Sequence, residues 1–261
     1  QLGDDPFGKK IAGDLVRAGI DTSLIGFTDK ANTALAFVSL ETDGNRTFSF
    51  YRNPSADMLF SAEQVKAEWF ADAYALHFCS VSLGDFPMKE AHRKAIACAR
   101  ESGAMISFDP NLRFPLWKDK QALHSTVNEF IPMADIVKIS DEELEFITGE
   151  SEISAALPKL FAGNVKLVVY TCGAEGAYAF TKNAQAHAAS ERVKAIDTTG
   201  AGDGFIGSFL YALKTLGVTA DSISNLSVEQ LERCTAFSNK FCGESVQHEG
   251  AIDSYRKITF E

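Results

Sequence analysis

A chain of 261 residues with 46% hydrophobic side chains can bury a substantial core, and that length suits one large α/β domain better than several small ones. The 25 basic residues against 35 acidic ones leave a net charge of -10, which repels a nucleic-acid duplex or an anionic membrane surface; no apolar run reaches spanning length and no charged-then-apolar leader opens the chain. Cys79, Cys98, Cys172, Cys234 and Cys242 are odd in number and form no C-x-x-C pair, which argues against a disulfide framework or a zinc site and fits reduced thiols in a cytoplasmic protein.

In chain order, "GDDPFGKK" (3–10) nearly spells a Walker A loop, but Lys10 stands where serine or threonine must bind Mg²⁺, and Asp4 and Asp5 would repel phosphates. Residues 33–52 hold two strand-like runs around Asp43-Gly44, a dipeptide that favours a tight hairpin turn. Leu35, Phe37 and Ser39 alternate with Ala34, Ala36, Val38 and Leu40, so both faces are largely apolar and the hairpin must pack on other strands or on a second subunit. A hairpin of this kind inside an α/β chain is a candidate lid. Short β-type runs follow at 75–81, 104–109, 135–140 and 166–171, each bounded by polar or helical sequence. That alternation predicts a mainly parallel sheet covered by helices on both faces, with no repeat or linker to mark a second domain.

Residues 197–203, "DTTGAGD", set two glycines and an alanine between two aspartates, just before a helix predicted from Phe205, Ile206, Phe209, Leu210, Leu213 and Leu216 at helical spacing. Gly200 and Gly202 allow the backbone to approach a ligand closely, and the helix start offers unpaired N–H groups suited to phosphate. Asp203 at that mouth is a poor phosphate ligand and a well-placed base for a hydroxyl; an aspartate in a first helical turn also suits simple capping. The five histidines form no metal or triad spacing.

"AIDTTGAGDGFIGSF" (195–209) resembles the carboxy-terminal signature of the PfkB, or ribokinase-like, sugar kinases. The resemblance continues in order through "GDDPFG", "FYRNPSADM", "FDPNLRFPLW", "KISDEELEFITG", "TCGAEG" and "EGAIDS", and so covers essentially the whole chain. The Asn-Pro-Ser-Ala-Asp and Asp-Pro-Asn-Leu-Arg stretches are most similar to fructokinases. The fold implied is ribokinase-like α/β, with a mainly parallel central sheet flanked by helices and a small β lid at 33–52 that in some relatives clasps a second subunit. Relatives also carry a first strand with an aspartate and a Gly-Gly-x-x-x-Asn segment, which this chain lacks; an amino-terminal segment is expected to be missing.

The resemblance implies ATP as phosphoryl donor, Mg²⁺, a monovalent cation such as K⁺, and a small-molecule sugar as substrate. Asp203 would be the general base, while the N–H groups of Gly200, Ala201 and Gly202 would hold the charge developing on the transferred group. Gly204 departs from the alanine that many relatives carry. Asp197 and Thr199, with Ser245, Gly250 and Ser254 from a partner loop, would supply oxygen ligands to the monovalent cation; Asp197 also suits a bond to its own turn. Thr171, Gly173 and Gly176 would line the nucleotide, with Asn239 and Gly243 near adenine, although the glycines also fit an ordinary turn after a strand. Glu143 would hold Mg²⁺ through water, or, equally, close a capping box with Ser140. Arg52, Asn53 and Arg113 would converge on the sugar or its incoming phosphate. The expected activity is phosphorylation of a ketohexose, most naturally fructose; the alternatives are 2-keto-3-deoxygluconate, ribose or nucleoside kinases, and a non-catalytic homologue that senses sugar.

Overall fold

A computed structural model describes residues 1–40 and 46–260. Its centre is a six-stranded sheet in the order β10-β9-β8-β7-β6-β5. Strands β5 (Ala75–Cys79), β6 (Met105–Asp109), β7 (Ile136–Ser140) and β8 (Leu167–Thr171) run parallel. They are apolar on both sides because both sides are covered. Ile106, Phe108, Val137, Ile139 and Val168 face a core shared with α2 (Met88–Glu101), α3 (Lys120–Phe130), α4 (Asp141–Thr148) and α5 (Ile153–Leu160). Met105, Ile136, Leu167 and Val169 face the opposite core, built with α6 (Ala201–Thr215) and α7 (Val228–Ser245). The predicted helix is α6, and its Phe205, Ile206, Phe209 and Leu213 are the residues that it buries.

The sheet ends in an antiparallel pair that the sequence pattern does not announce, β9 (Ala177–Phe180) and β10 (Gln185–Ala188). Their runs are only four residues each, and β10, QAHA, has neither a β-branched nor an aromatic Phe, Tyr or Trp side chain, so the pair carries a weak strand signal. At the amino terminus β1 (Leu2–Gly3) and β2 (Phe27–Thr28) form a separate parallel pair around α1 (Pro6–Arg17). "GDDPFGKK" is the capped start of α1: Asp5 accepts from the Gly8 N–H at 2.8 Å and Pro6 opens the first turn.

β3 (Leu35–Leu40) and β4 (Arg46–Tyr51) make the expected antiparallel hairpin as a two-stranded sheet of their own. Leu35 pairs with Tyr51 and Leu40 with Arg46; the expected Asp43-Gly44 turn lies outside the described residues. On one face Phe37 and Tyr51 meet edge to face at 5.3 Å and remain 55% and 67% exposed. On the other, Ala36 and Phe50 line a cleft of about 240 Å³ with Leu112, Arg113, Phe114 and Pro115. No helix among the described residues is long and apolar enough to cross a membrane, and the five cysteines are free.

Candidate active site

The carboxyl ends of β6 and β7 meet the start of α6. Gly200 has φ 78° and ψ 2°, the geometry that the third position of a type II turn requires. The turn closes with the Ala201 N–H donating to the Thr198 carbonyl at 3.2 Å. That corrects the expected trio of donors: Ala201 is taken by its own turn, whereas the N–H groups of Gly200, Gly202 and Asp203 have no protein partner among the described residues. Tyr255 braces the turn by donating its hydroxyl to the Gly200 carbonyl at 2.8 Å. At Gly204 the rings of Phe241 and Tyr255 stand 3.0 and 3.2 Å from where a β-carbon would be, so aromatic packing leaves little room for a methyl group there. Asp203 lies exposed in the first turn of α6, and Asn111 Nδ2 approaches its Oδ1 at 3.4 Å.

Beneath this rim lies a charged floor. Lys138 Nζ donates to Asp109 Oδ2 at 2.8 Å, and the two side chains are only 6% and 2% exposed. The ammonium sits 3.3 Å from the β-carbon position of Gly202, directly under the glycine turn. Burial pushes the Asp109 carboxyl up to about 6 although Lys138 opposes the shift, and Asp109 Oδ1 is buried without a hydrogen-bond partner among the described residues. Glu143 is buried with both oxygens engaged: Oε2 accepts from the Ser140 N–H at 2.9 Å, closing the capping box of α4, and Oε1 accepts from the Leu112 N–H at 2.7 Å. This geometry fits the capping role and gives no support to Glu143 as a Mg²⁺ ligand.

The two loops expected around a monovalent cation are joined. Asp197 Oδ1 accepts from the Thr199 N–H at 2.9 Å and the Thr199 hydroxyl at 2.6 Å, and Oδ2 accepts from the Gly250 N–H at 3.0 Å. Asp197 therefore makes its own turn and ties the second loop to it. The buried hydroxyls of Ser245 and Ser254 donate to the Cys242 and Ala251 carbonyls at 3.1 and 2.6 Å, which leaves their oxygen lone pairs as acceptors. The donor set is all oxygen, as a hard cation needs.

The expected nucleotide residues divide. Thr171 ends β8 and Gly173 follows in the turn at φ 52°. A β-carbon on Gly176 would lie 2.1 Å from the Ala188 carbonyl oxygen, so this glycine admits the end of β10 rather than a ligand. Asn239 is also turned to structure, with its buried amide donating to the same Ala188 carbonyl at 2.6 Å. Gly243 on α7 has open space over its Cα.

Of the substrate candidates, Arg52 is corrected. Its guanidinium, 8% exposed, pairs with Asp57, donates to the Val81 carbonyl at 3.0 Å and stacks over Phe86 at 5.3 Å. It fastens the base of the hairpin to the segment that follows β5. Asn53 is exposed at that same base, and Arg113 is exposed in the cleft under the hairpin. Sequence reasoning missed Asp109, Lys138 and Asn111. A lysine inside the otherwise apolar run "IVKIS" was the available signal, because a charge in a strand covered on both faces must be paired.

The pfkB family carbohydrate kinase profile matches residues 1–258. The chain belongs to this family. Among curated pfkB-type proteins, "Probable fructokinase-3" of Arabidopsis thaliana is 40% identical over 254 residues, covering 97% of this chain and 72% of that protein. "Fructokinase-2" of Solanum lycopersicum is 43% identical over 211 residues, covering 80% and 64%. Among solved structures, the fructokinase of Xylella fastidiosa with bound ATP superposes with a TM-score of 0.87 at 32% identity, covering 97% of this chain and 80% of that one. The Vibrio cholerae fructokinase in its fructose, ADP and calcium ion bound form gives 0.86 at 34%, covering 97% and 80%. The central sheet with helices on both faces is thus the ribokinase-like fold of a carbohydrate kinase.

Proposed function

We propose that this protein is an ATP-dependent fructokinase. The observation that carries the reading is Asp203, exposed in the first turn of α6 beside a glycine turn whose Gly200 and Gly202 N–H groups are open. That pairing of a base with an anion site suits removal of a proton from a sugar hydroxyl as its oxygen takes up the γ-phosphoryl group. Buried Lys138 adds positive charge under the turn, and most of the acceleration is positioning and charge stabilisation. Relatives crystallised with ATP, with fructose and ADP, and with potassium support nucleotide, sugar and cation use. Asp197, Thr199 and the 250–254 loop would hold K⁺, which supplies a fixed charge beside the anion hole. The nucleotide would lie along Thr171, Gly173 and Gly243. The hairpin would close over the sugar, and its exposed Phe37 and Tyr51 suit contact with a second copy of the chain. Five free thiols suit a reducing cytosol.

Arg113 is exposed in the cleft, with Nη1 donating to the Leu112 carbonyl at 2.9 Å, whereas Arg52 is buried and engaged. Arg113 suits the incoming phosphate, and it is also the group that the carboxylate of 2-keto-3-deoxygluconate would need. A coupled assay of ADP release across fructose, 2-keto-3-deoxygluconate, ribose and nucleosides tests the reading: fructose should give the highest kcat/KM, and a clear preference for the keto acid or no turnover of any sugar overturns it.

A further inference from the structure

Asn111 has φ 44°, the one positive φ outside glycine among the described residues. Such a conformation is uncommon outside glycine, asparagine among the residues that tolerate it best, and its surroundings here hold it in place. Here two backbone bonds do so: the Ser80 N–H donates to the Pro110 carbonyl at 3.1 Å, and the Leu112 N–H donates to Glu143 Oε1 at 2.7 Å. The clamp directs the Asn111 carboxamide at Asp203, with Nδ2 3.4 Å from Oδ1, and this is the one side-chain hydrogen bond of Asp203 among the described residues. The separation is long for a formed bond; contacts of this kind tighten when substrate fills the site.

We infer that Asn111 is a positioning residue for the general base. Its amide donates to Asp203 Oδ1, which turns Oδ2 toward the sugar. As the sugar oxygen bonds to the γ-phosphorus and the bond to the β-phosphate oxygen breaks, the hydroxyl proton moves to Oδ2 and ADP leaves. Glu143 acts on the same step at one remove, by holding Leu112 so that Asn111 keeps its positive φ. The inference rests on the fructokinase reading.

Asn111→Gly and Asn111→Asp separate positioning from folding. Glycine accepts φ 44° without strain, so the unfolding midpoint should hold or rise. With the carboxamide gone, kcat should fall roughly 10- to 100-fold while the KM for fructose changes about threefold or less. Asn111→Asp sets a second carboxylate against Asp203, and the acid limb of the kcat profile should move to higher pH. A wild-type kcat in Asn111→Gly, or a loss matched by a lowered unfolding midpoint with an unmoved pH profile, overturns the inference. The carboxyl titration of Asp203, followed by ¹³C NMR in wild type and Asn111→Asp, needs no turnover: identical midpoints overturn the inference, while absence of any sugar kinase activity in wild type overturns the fructokinase reading alone.

Discussion

Phe209 on α6, the helix that carries Asp203, and Tyr51 on β4 of the hairpin are both large aromatic side chains; the first is 0% exposed and the second 67%. The difference runs through everything around them. The sheet under Phe209 is covered on both faces, its charges are paired, and the glycine turn above it is braced by Tyr255 and by the Asp197 bonds to the neighbouring loop. The hairpin carrying Tyr51 is bonded only to itself as a sheet and is fastened at its base through Arg52. One region has its chemistry preformed. The other has the surface of something that completes itself against a ligand or a partner.

The largest expected effect tests the preformed half. Asp203→Asn should lower turnover by about 10²–10⁴-fold, the usual range for loss of a general base, while the unfolding midpoint holds because the side chain is exposed. Turnover within a factor of a few of wild type would remove Asp203 from the reaction.

Next comes stability. Phe209→Ala should cost about 3–5 kcal/mol through the cavity that it leaves, whereas Tyr51→Ala should stay within about 0.5 kcal/mol. Urea titration of both variants checks this at two protein concentrations. A large cost at Tyr51 that shrinks on dilution would show that a partner copy already covers the hairpin.

The smallest effect sharpens the account of the floor. The Asp109 carboxyl sits at about 6 in the fold against 3.8 for the free group. The folded state therefore holds this proton more tightly than the unfolded chain does. The resulting stability is complete below about pH 4 and is lost as pH rises through about 6, falling by about 1.4 kcal/mol for each pH unit crossed between those two values. Across that window the unfolding free energy of wild type should fall relative to Asp109→Asn, in which the linkage is absent. Parallel curves for the two proteins would mean that Lys138 holds the carboxylate ionised throughout.

Much of the body was legible in the sequence. The runs later found as β5 to β8 are apolar on both faces and bounded by turns, and the spacing from Phe205 to Leu213 is that of a helix with one buried side. The glycine turn was legible because few other residues accept its dihedrals. Less legible was anything decided by a partner far along the chain. Arg52 looked like a ligand until Val81 claimed it across 29 residues, and Asn239 until the carbonyl of Ala188 did so across 51. Lys138 and Asp109 are likewise 29 residues apart, and neither strand pattern names the other. The β9–β10 pair, with no β-branched residue, is made by the neighbour it pairs with more than by its own propensity.

The tight fit at Gly204 ties two distant stretches of chain into a single exchangeable part. The Tyr255 ring that reaches the Gly200 carbonyl also packs, with that of Phe241, against the place of a β-carbon at 204. A methyl group at 204 would press on both rings by a few tenths of an ångström, so a change there reaches the turn through Tyr255. For anyone building chimaeras with relatives, residues 200–204 and the segment holding Tyr255 should be transplanted together or left together.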